Sequence, residues 1–203
     1  MRLENLSELQ MDALREVGNI GAGHAATALS QMTGSPISLS NPTLELVEFS
    51  AVPMLVGGAE RLVAAAYCRL LGDIGGGMLL MAPRESALAL IDLLHNREVG
   101  TTVSFGHAEE MLLTHVSTIL SSAYLAAIAR MTDMNLLPAP PSFVLDMAGA
   151  ILQVATLETG MRADMALLVR TSFSDERTTV DVMLFFLPDP DSLEVILGRL
   201  GVA

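Results

Sequence analysis

Two carboxylates and a carboxamide share one strip of this chain: Asp12, Glu16 and Asn19 are spaced by four and then three residues. In a helix, at about 100° per residue, they span about 60° of the surface and project together. One turn on, the same strip carries Gly23, Ala26, Thr27 and Ser30, all small. Three polar groups followed by a low, smooth surface would let another protein approach the helix closely, so the chemistry open to this strip is chemistry on a partner. No Ser-His-Asp set, nucleophilic Cys or metal-ligand spacing stands out elsewhere. The single Cys, Cys68, falls in an apolar run and reads as a core residue.

Polar residues on the outer face of an amphipathic helix are ordinarily just solvated, and Asp12 and Glu16 also favour the N-terminal half of the helix dipole. Neither accounts for Gly18, Gly21 and Gly23, each of which costs about 1 kcal/mol relative to Ala inside a helix. For Gly21, on the apolar side, we expect close packing; for Gly23, on the polar strip, we expect close approach of a partner. The string GNIGAG lacks the Lys-Ser/Thr of a phosphate loop, and no strand precedes it.

The element that must hold these residues is a long helix over 6–33. Ser7 can cap it with Gln10 three residues on, and Thr33-Gly34-Ser35-Pro36 ends it. Short strands are expected at 37–40 and 43–49. Val63–Leu71 and Gly76–Met81 read as an antiparallel pair joined at Gly72-Asp73. Pro83 opens a helix from 84 to about 96. A second long helix covers about 106–132. Strands near 142–155, 164–173 and 178–187 follow, and a helix over about 191–200 ends the chain.

With 51% apolar residues, the 203-residue chain is expected to fold around one sizeable core. Six Phe, two Tyr and no Trp leave that core to Leu, Val, Ile, Ala and thirteen Met. A formal charge of −12 repels phosphate backbones and anionic membranes, so neither nucleic acid nor a membrane surface is expected as a partner. The lone Cys excludes an internal disulfide and fits a reducing cytosol. MRLENLSELQ has no apolar signal run, and no apolar stretch is expected to reach the roughly 18 residues of a membrane span. The longest, Val63–Leu71, is broken by Arg69.

The two long helices are related by an offset of 99 residues: Leu14, Val17, Ile20, Ala28, Met32, Thr33 and Pro42 recur as Leu113, Val116, Ile119, Ala127, Met131, Thr132 and Pro141. Residues 14, 17, 20, 28 and 32 fall in a sector of roughly 120° at about 100° per residue, so what repeats is an apolar stripe. We therefore expect an α+β fold with a pseudo-two-fold duplication, its two long helices packed on a shared, largely antiparallel sheet. One domain would cover 1–203, built of halves at about 1–100 and 101–203.

The spacing Asp12-x3-Glu16-x2-Asn19-x22-Pro42 matches the active-site signature of the CheC/FliY/CheX phosphatases at every defined position. EVGNIGAGHAATALS resembles the CheC helix almost residue for residue, and GDIGGGMLLM at 72–81, PPSFVLDM at 140–147 and LPDPDSLEVILGRLG at 187–201 extend the likeness along the chain. One departure is His24, where Asn is expected. It lies about 120° round from Asp12, inside the apolar stripe, so we expect it to affect packing rather than catalysis.

The resemblance implies a cytoplasmic chemotaxis hydrolase that removes the phosphoryl group from the aspartate of a CheY-like response regulator. Asn19 would orient the attacking water, a neutral carboxamide not repelling the phosphoryl oxygens. Glu16 would pair with the regulator's active-site lysine, and Asp12, Gly23 and Pro42 would support docking. No cofactor of its own is implied, because the regulator supplies the Mg2+. The family pattern also implies a second site, but Met111, His115 and Thr118 stand where the acids and carboxamide would be, with only Pro141 kept. That site reads as degenerate. Glu109 and Glu110 are near it but out of phase, and His115 has no second ligand at metal spacing.

The rival reading is an adaptor that holds phosphorylated regulator or restrains the receptor deamidase CheD without turnover. An intact Asp12-Glu16-Asn19 set opposes a passive role, whereas the lost second site favours it. A flagellar-switch role would need further sequence, and an internal duplication points to a monomer.

Overall fold

The computed structural model describes residues 6–40, 42–159, 165–176 and 178–202. Helix α1 (Glu8–Thr33) begins at the expected capping box: Ser7 Oγ accepts the Gln10 N–H, and Gln10 Oε1 accepts the Ser7 N–H. It ends at Gly34, whose left-handed φ of 68° returns its N–H to Ser30. Gln10 is itself buried and donates from Nε2 to the Val202 carbonyl at 2.8 Å, so the last described residues clasp the first turn of α1.

After α1 come β1 (Ser38–Leu39), β2 (Thr43–Glu48) and a 3-10 turn (Phe49–Ala51) that runs into the short α2 (Val52–Leu55). Strands β3 (Leu62–Gly72) and β4 (Gly76–Pro83) form an antiparallel pair and lead into α3 (Arg84–Leu94). The same order then recurs: α4 (His107–Thr132), β5 (Leu136–Pro138), β6 (Ser142–Met147), α5 (Ala148–Thr159), β7 (Met165–Ser174), β8 (Thr179–Pro188) and α6 (Pro190–Arg199).

The single sheet runs β1-β7-β8-β4-β3-β5, with β2 also on β7 and β6 also on β3; every pairing is antiparallel. Each set of two short strands thus crosses to the long third strand of the other set, while β4 and β8 meet at the centre. Alternation along the strands sends Ala64, Ala66, Cys68 and Leu70 to one face, covered by α1, α4, α3 and α6. Val63 and Ala65 face the opposite side, where Phe49, Val52, Ala148, Ile151 and Leu152 cover the sheet. The mixed α/β fold with an antiparallel sheet is as expected; this second covering layer was not anticipated.

Three expectations need correction. The strand expected at 142–155 stops at Met147, and the chain continues as α5. The first two N–H groups of that helix are taken by the segment before β3, Ala148 donating to Arg61 and Gly149 to Ala59, both at 2.9 Å. Ala148, Ile151 and Leu152 are buried at helical spacing, a period that a short apolar run does not separate from a strand. Second, α4 is long and apolar enough to cross a membrane, contrary to expectation, but 56% of that stretch is buried inside the fold. Its apolar length is used in packing on the sheet and on α1. Third, the buried face of α1 is rotated from the expected stripe. Leu14 and Val17 are buried but Ile20, Ala28 and Met32 only partly, and the remainder of the face is Gly18, Gly21, Ala22, Ala25 and Leu29.

Candidate functional site

The rotation of the α1 face follows from its neighbour. α4 packs along α1, and small residues let the helices approach closely: a Cβ on Gly21 would lie 2.7 Å from Tyr124 Cδ1. On the other flank, a Cβ on Gly18 would lie 2.9 Å from Leu44 Cδ1 and 3.6 Å from Pro42 Cγ. The turn that carries Asn19 is therefore seated against α4 at Gly21 and against β2 and its leading proline at Gly18. Pro42, 23 residues from Asn19 in sequence, is brought beside the same turn of the helix, at Gly18, as the chain leads into β2 on its way to β7.

Asp12, Glu16, Asn19 and Gly23 are all exposed on the opposite face of α1. Nothing lies within 4 Å of where a Cβ on Gly23 would stand, so its small size answers to nothing inside the described fold. Thr27 is exposed and returns its hydroxyl to the Gly23 carbonyl at 3.0 Å. Ser30 leaves the open strip: its Oγ accepts from Ile37 N–H at 3.0 Å, closing the turn after α1.

One participant escaped the sequence reading. Arg15 Nη1 donates to Asp12 Oδ1 at 2.6 Å, so Asp12 is already paired within the chain while no ion pair is formed by Glu16 among the described residues. The three-residue spacing of opposite charges was the available signal. An exposed pair of this kind adds little stability; among the described residues it engages Asp12 and not Glu16.

His24 lies outside the buried face, contrary to expectation: it is exposed. The physical reason is the same rotation of α1 toward Gly18, Gly21 and Ala22, which leaves the 24 position in solvent.

At the offset of 99, Met111 and His115 are exposed, and Thr118 and Pro141 are half-buried. Thr118 Oγ1 donates to the Thr114 carbonyl at 3.0 Å, so its proton is held by its own helix. Glu109 accepts the Gly106 N–H at 3.0 Å as an N-terminal cap of α4. The face that carries two acids and a carboxamide in the first half thus carries a thioether, an imidazole and a back-bonded hydroxyl in the second.

Other chemistry has little support. Cys68 is buried in β3, where its Sγ donates to Ser121 Oγ at 3.5 Å, and burial pushes its thiol pKa up despite the hydrogen bonds it shares with Ser121 and the Met78 backbone. Such a thiol is a poor nucleophile. Among the described residues, no group of three or more His, Cys, Asp or Glu could hold a metal ion.

The exposed strip and Pro42 lie within residues 9–46, the segment matched by the model of the CheC-like family. Over 202 residues the chain is 34% identical to the CheY-P phosphatase CheC of Bacillus subtilis, covering 98% of this chain and 97% of that one. Among solved structures it resembles Thermotoga maritima FliY, with a TM-score of 0.77 at 13% identity, covering 97% of this chain and 98% of that one. It also resembles a chain of the FliG–FliM complex from H. pylori, with a TM-score of 0.69 at 13% identity, covering 95% and 100%. At such identities these likenesses show the fold. The identity to a CheC along nearly the whole of both chains shows more: this chain belongs to the CheC-like family.

Proposed function

We propose that this chain is a phosphatase of chemotaxis signalling that hydrolyses the aspartyl phosphate of a CheY-like response regulator through one site on α1. The observation that carries the proposal is the exposed carboxamide of Asn19, one turn beyond an exposed Glu16 and one turn before the open surface of Gly23. The name of the Bacillus subtilis relative supports the same substrate.

In the reaction, a water oxygen attacks phosphorus in line. The bond from phosphorus to the aspartyl oxygen breaks, the carboxylate leaves with the electron pair, and inorganic phosphate carries the water's remaining proton or releases it to solvent. A carboxylate leaves without a strong acid, so catalysis consists of placing water and stabilising charge. The Asn19 carboxamide accepts a hydrogen bond from the water through Oδ1 and turns the water's lone pair toward phosphorus. Glu16, which forms no ion pair among the described residues, meets the regulator's lysine and fixes the register of the two proteins. Asp12 with Arg15, Gly23 and Pro42 shape the contact. The Mg2+ is the regulator's.

The site on α4 is inactive, since Met111, His115 and Thr118 offer no carboxamide or carboxylate. The recurrence of element order and the exchange of short strands support an internal duplication of halves 1–100 and 101–203; in this reading the chain acts in the cytoplasm as a monomer. The second reading, an adaptor for phosphorylated regulator or for CheD, is favoured only by that lost site. Phosphate release separates the readings. The purified chain, mixed with an excess of phosphorylated response regulator, should release many phosphates per molecule; binding without accelerated release would establish the adaptor instead.

A further inference from the structure

The helix α4 has lost its own reactive face but still governs where the face of α1 stands. Across the offset of 99, Gly21 answers to Leu120 and Ala25 to Tyr124, so α4 supplies the bulk at this crossing and α1 the small residues. Tyr124 is 3% exposed, and its ring sits in the notch left by Gly21. A Cβ at residue 21 would stand 2.7 Å from Cδ1, 2.9 Å from Cγ and 3.1 Å from Cα of Tyr124. Turning the ring cannot clear the last of these, because it is backbone. Beside the ring, between α1, α4 and the sheet, lies an apolar cavity of about 30 Å3, with Leu14, Val17, Gly18, Met78 and Tyr124 in its lining. Any added bulk at the notch therefore lifts α1, and any loss of the ring gives α1 room to settle inward.

The hydroxyl of Tyr124 takes no visible part in this. It is buried and meets no hydrogen-bond partner among the described residues, and burial pushes its pKa far up. What Tyr124 contributes is the volume and rigidity of a ring. Asn19 is two residues from Gly21, on the far side of the same turn, so a shift of that turn is passed to the carboxamide without a flexible joint between them.

We propose that Tyr124 is a positioning residue for Asn19, its ring in the Gly21 notch setting the height at which α1 presents the carboxamide to the partner. The inference rests on the proposed phosphatase reading. It gives the second half a role in the reaction although its own face does none.

The test uses the full chain and a phosphorylated response regulator, with kcat, KM, regulator affinity and thermal unfolding measured for each variant. A displacement near 1 Å at a positioning group costs on the order of a hundredfold in rate. Gly21→Ala should lower kcat by about tenfold to a hundredfold with KM and affinity within about twofold, because Glu16 docking tolerates what water placement does not. Gly21→Ala combined with Tyr124→Ala should recover most of that loss, and Tyr124→Phe, which keeps the ring, should retain the wild-type kcat. If Gly21→Ala does not fold, Tyr124→Leu takes its place, with a fall in kcat expected in the folded variant. Unchanged kcat in a folded Gly21→Ala or Tyr124→Leu protein, or no recovery in a folded double variant, overturns the proposal while the phosphatase reading stands. A wild-type chain that leaves the phosphoryl group in place overturns that reading itself.

Discussion

Pro42 Cγ lies 3.6 Å from the point that a Cβ on Gly18 would occupy, so the residue leading into β2 stands beside α1 one residue ahead of Asn19. The nearer obstacle at that point is Leu44 Cδ1 at 2.9 Å, the end of a flexible side chain. Gly18→Ala should therefore be nearly neutral, the gain in helix propensity of about 1 kcal/mol offsetting the displacement of Leu44. Gly18→Val overfills the seat and should lose about 1–3 kcal/mol. Urea unfolding of the two variants checks the contrast; equal effects would mean that the seat is not tight.

Gly23 should behave in the opposite sense. With nothing within 4 Å of its missing Cβ, Gly23→Ala should stabilise α1 by about 0.5–1 kcal/mol. Yet it should weaken binding of the phosphorylated regulator, because the added methyl would stand on the proposed docking strip. A variant that is stabilised and binds normally would remove Gly23 from the contact.

Asp92 is wholly buried at the end of α3 and gathers the chain that follows. Its carboxylate accepts from Gly100 N–H at 2.8 Å, from Thr102 N–H at 3.0 Å and from Thr102 Oγ1 at 2.6 Å. Asp92→Ala leaves those donors without a partner and should cost about 2–4 kcal/mol in chemical denaturation. Phosphatase activity per folded molecule should not change, since this loop lies away from the α1 strip in sequence and takes no part in it.

Cys68 gives the pH dependence. Its folded pKa is raised by burial, so the folded chain holds the thiol proton more tightly than the unfolded chain does. Stability is unaffected below the unfolded thiol pKa of about 8.5 and falls as pH rises through it, where only the unfolded state ionises. Unfolding midpoints should drop between about pH 8 and 10, and Cys68→Ala should flatten that part of the profile. A thiol reagent at pH 8 should label the native protein only as fast as it opens; rapid labelling would contradict the burial.

The second face makes a negative prediction. His115→Ala and Thr118→Ala should leave phosphate release within about twofold of wild type, for the Thr118 hydroxyl is already bonded to the Thr114 carbonyl. A loss of tenfold or more in either variant would show that α4 also reacts.

How far the sequence reveals this molecule depends on the range of the forces involved. Ser7, Gln10 and Gly34 act within one turn, so both ends of α1 are readable from them. The strip of Asp12, Glu16 and Asn19 is readable because helical period alone places it. The buried face of α1 is not: Gly18, Gly21 and Ala22 are uninformative by hydropathy, and only the approach of Tyr124 and Leu44 makes them interior. His24 was misplaced for that reason. The Ala148–Thr159 helix hides in an apolar run that fits a strand equally well. The crossing of β1 and β2 onto β7 rests on partners more than 115 residues away, as in the pairing of Leu44 with Val169, and no local pattern announces it.

The most direct measurement is phosphate release by Asn19→Ala beside its affinity for phosphorylated regulator. The account predicts that release falls to the regulator's own spontaneous rate while affinity stays within about threefold, worth less than about 0.7 kcal/mol. Release that persists at a tenth of the wild-type rate or more, or that falls only in step with lost binding, would contradict it.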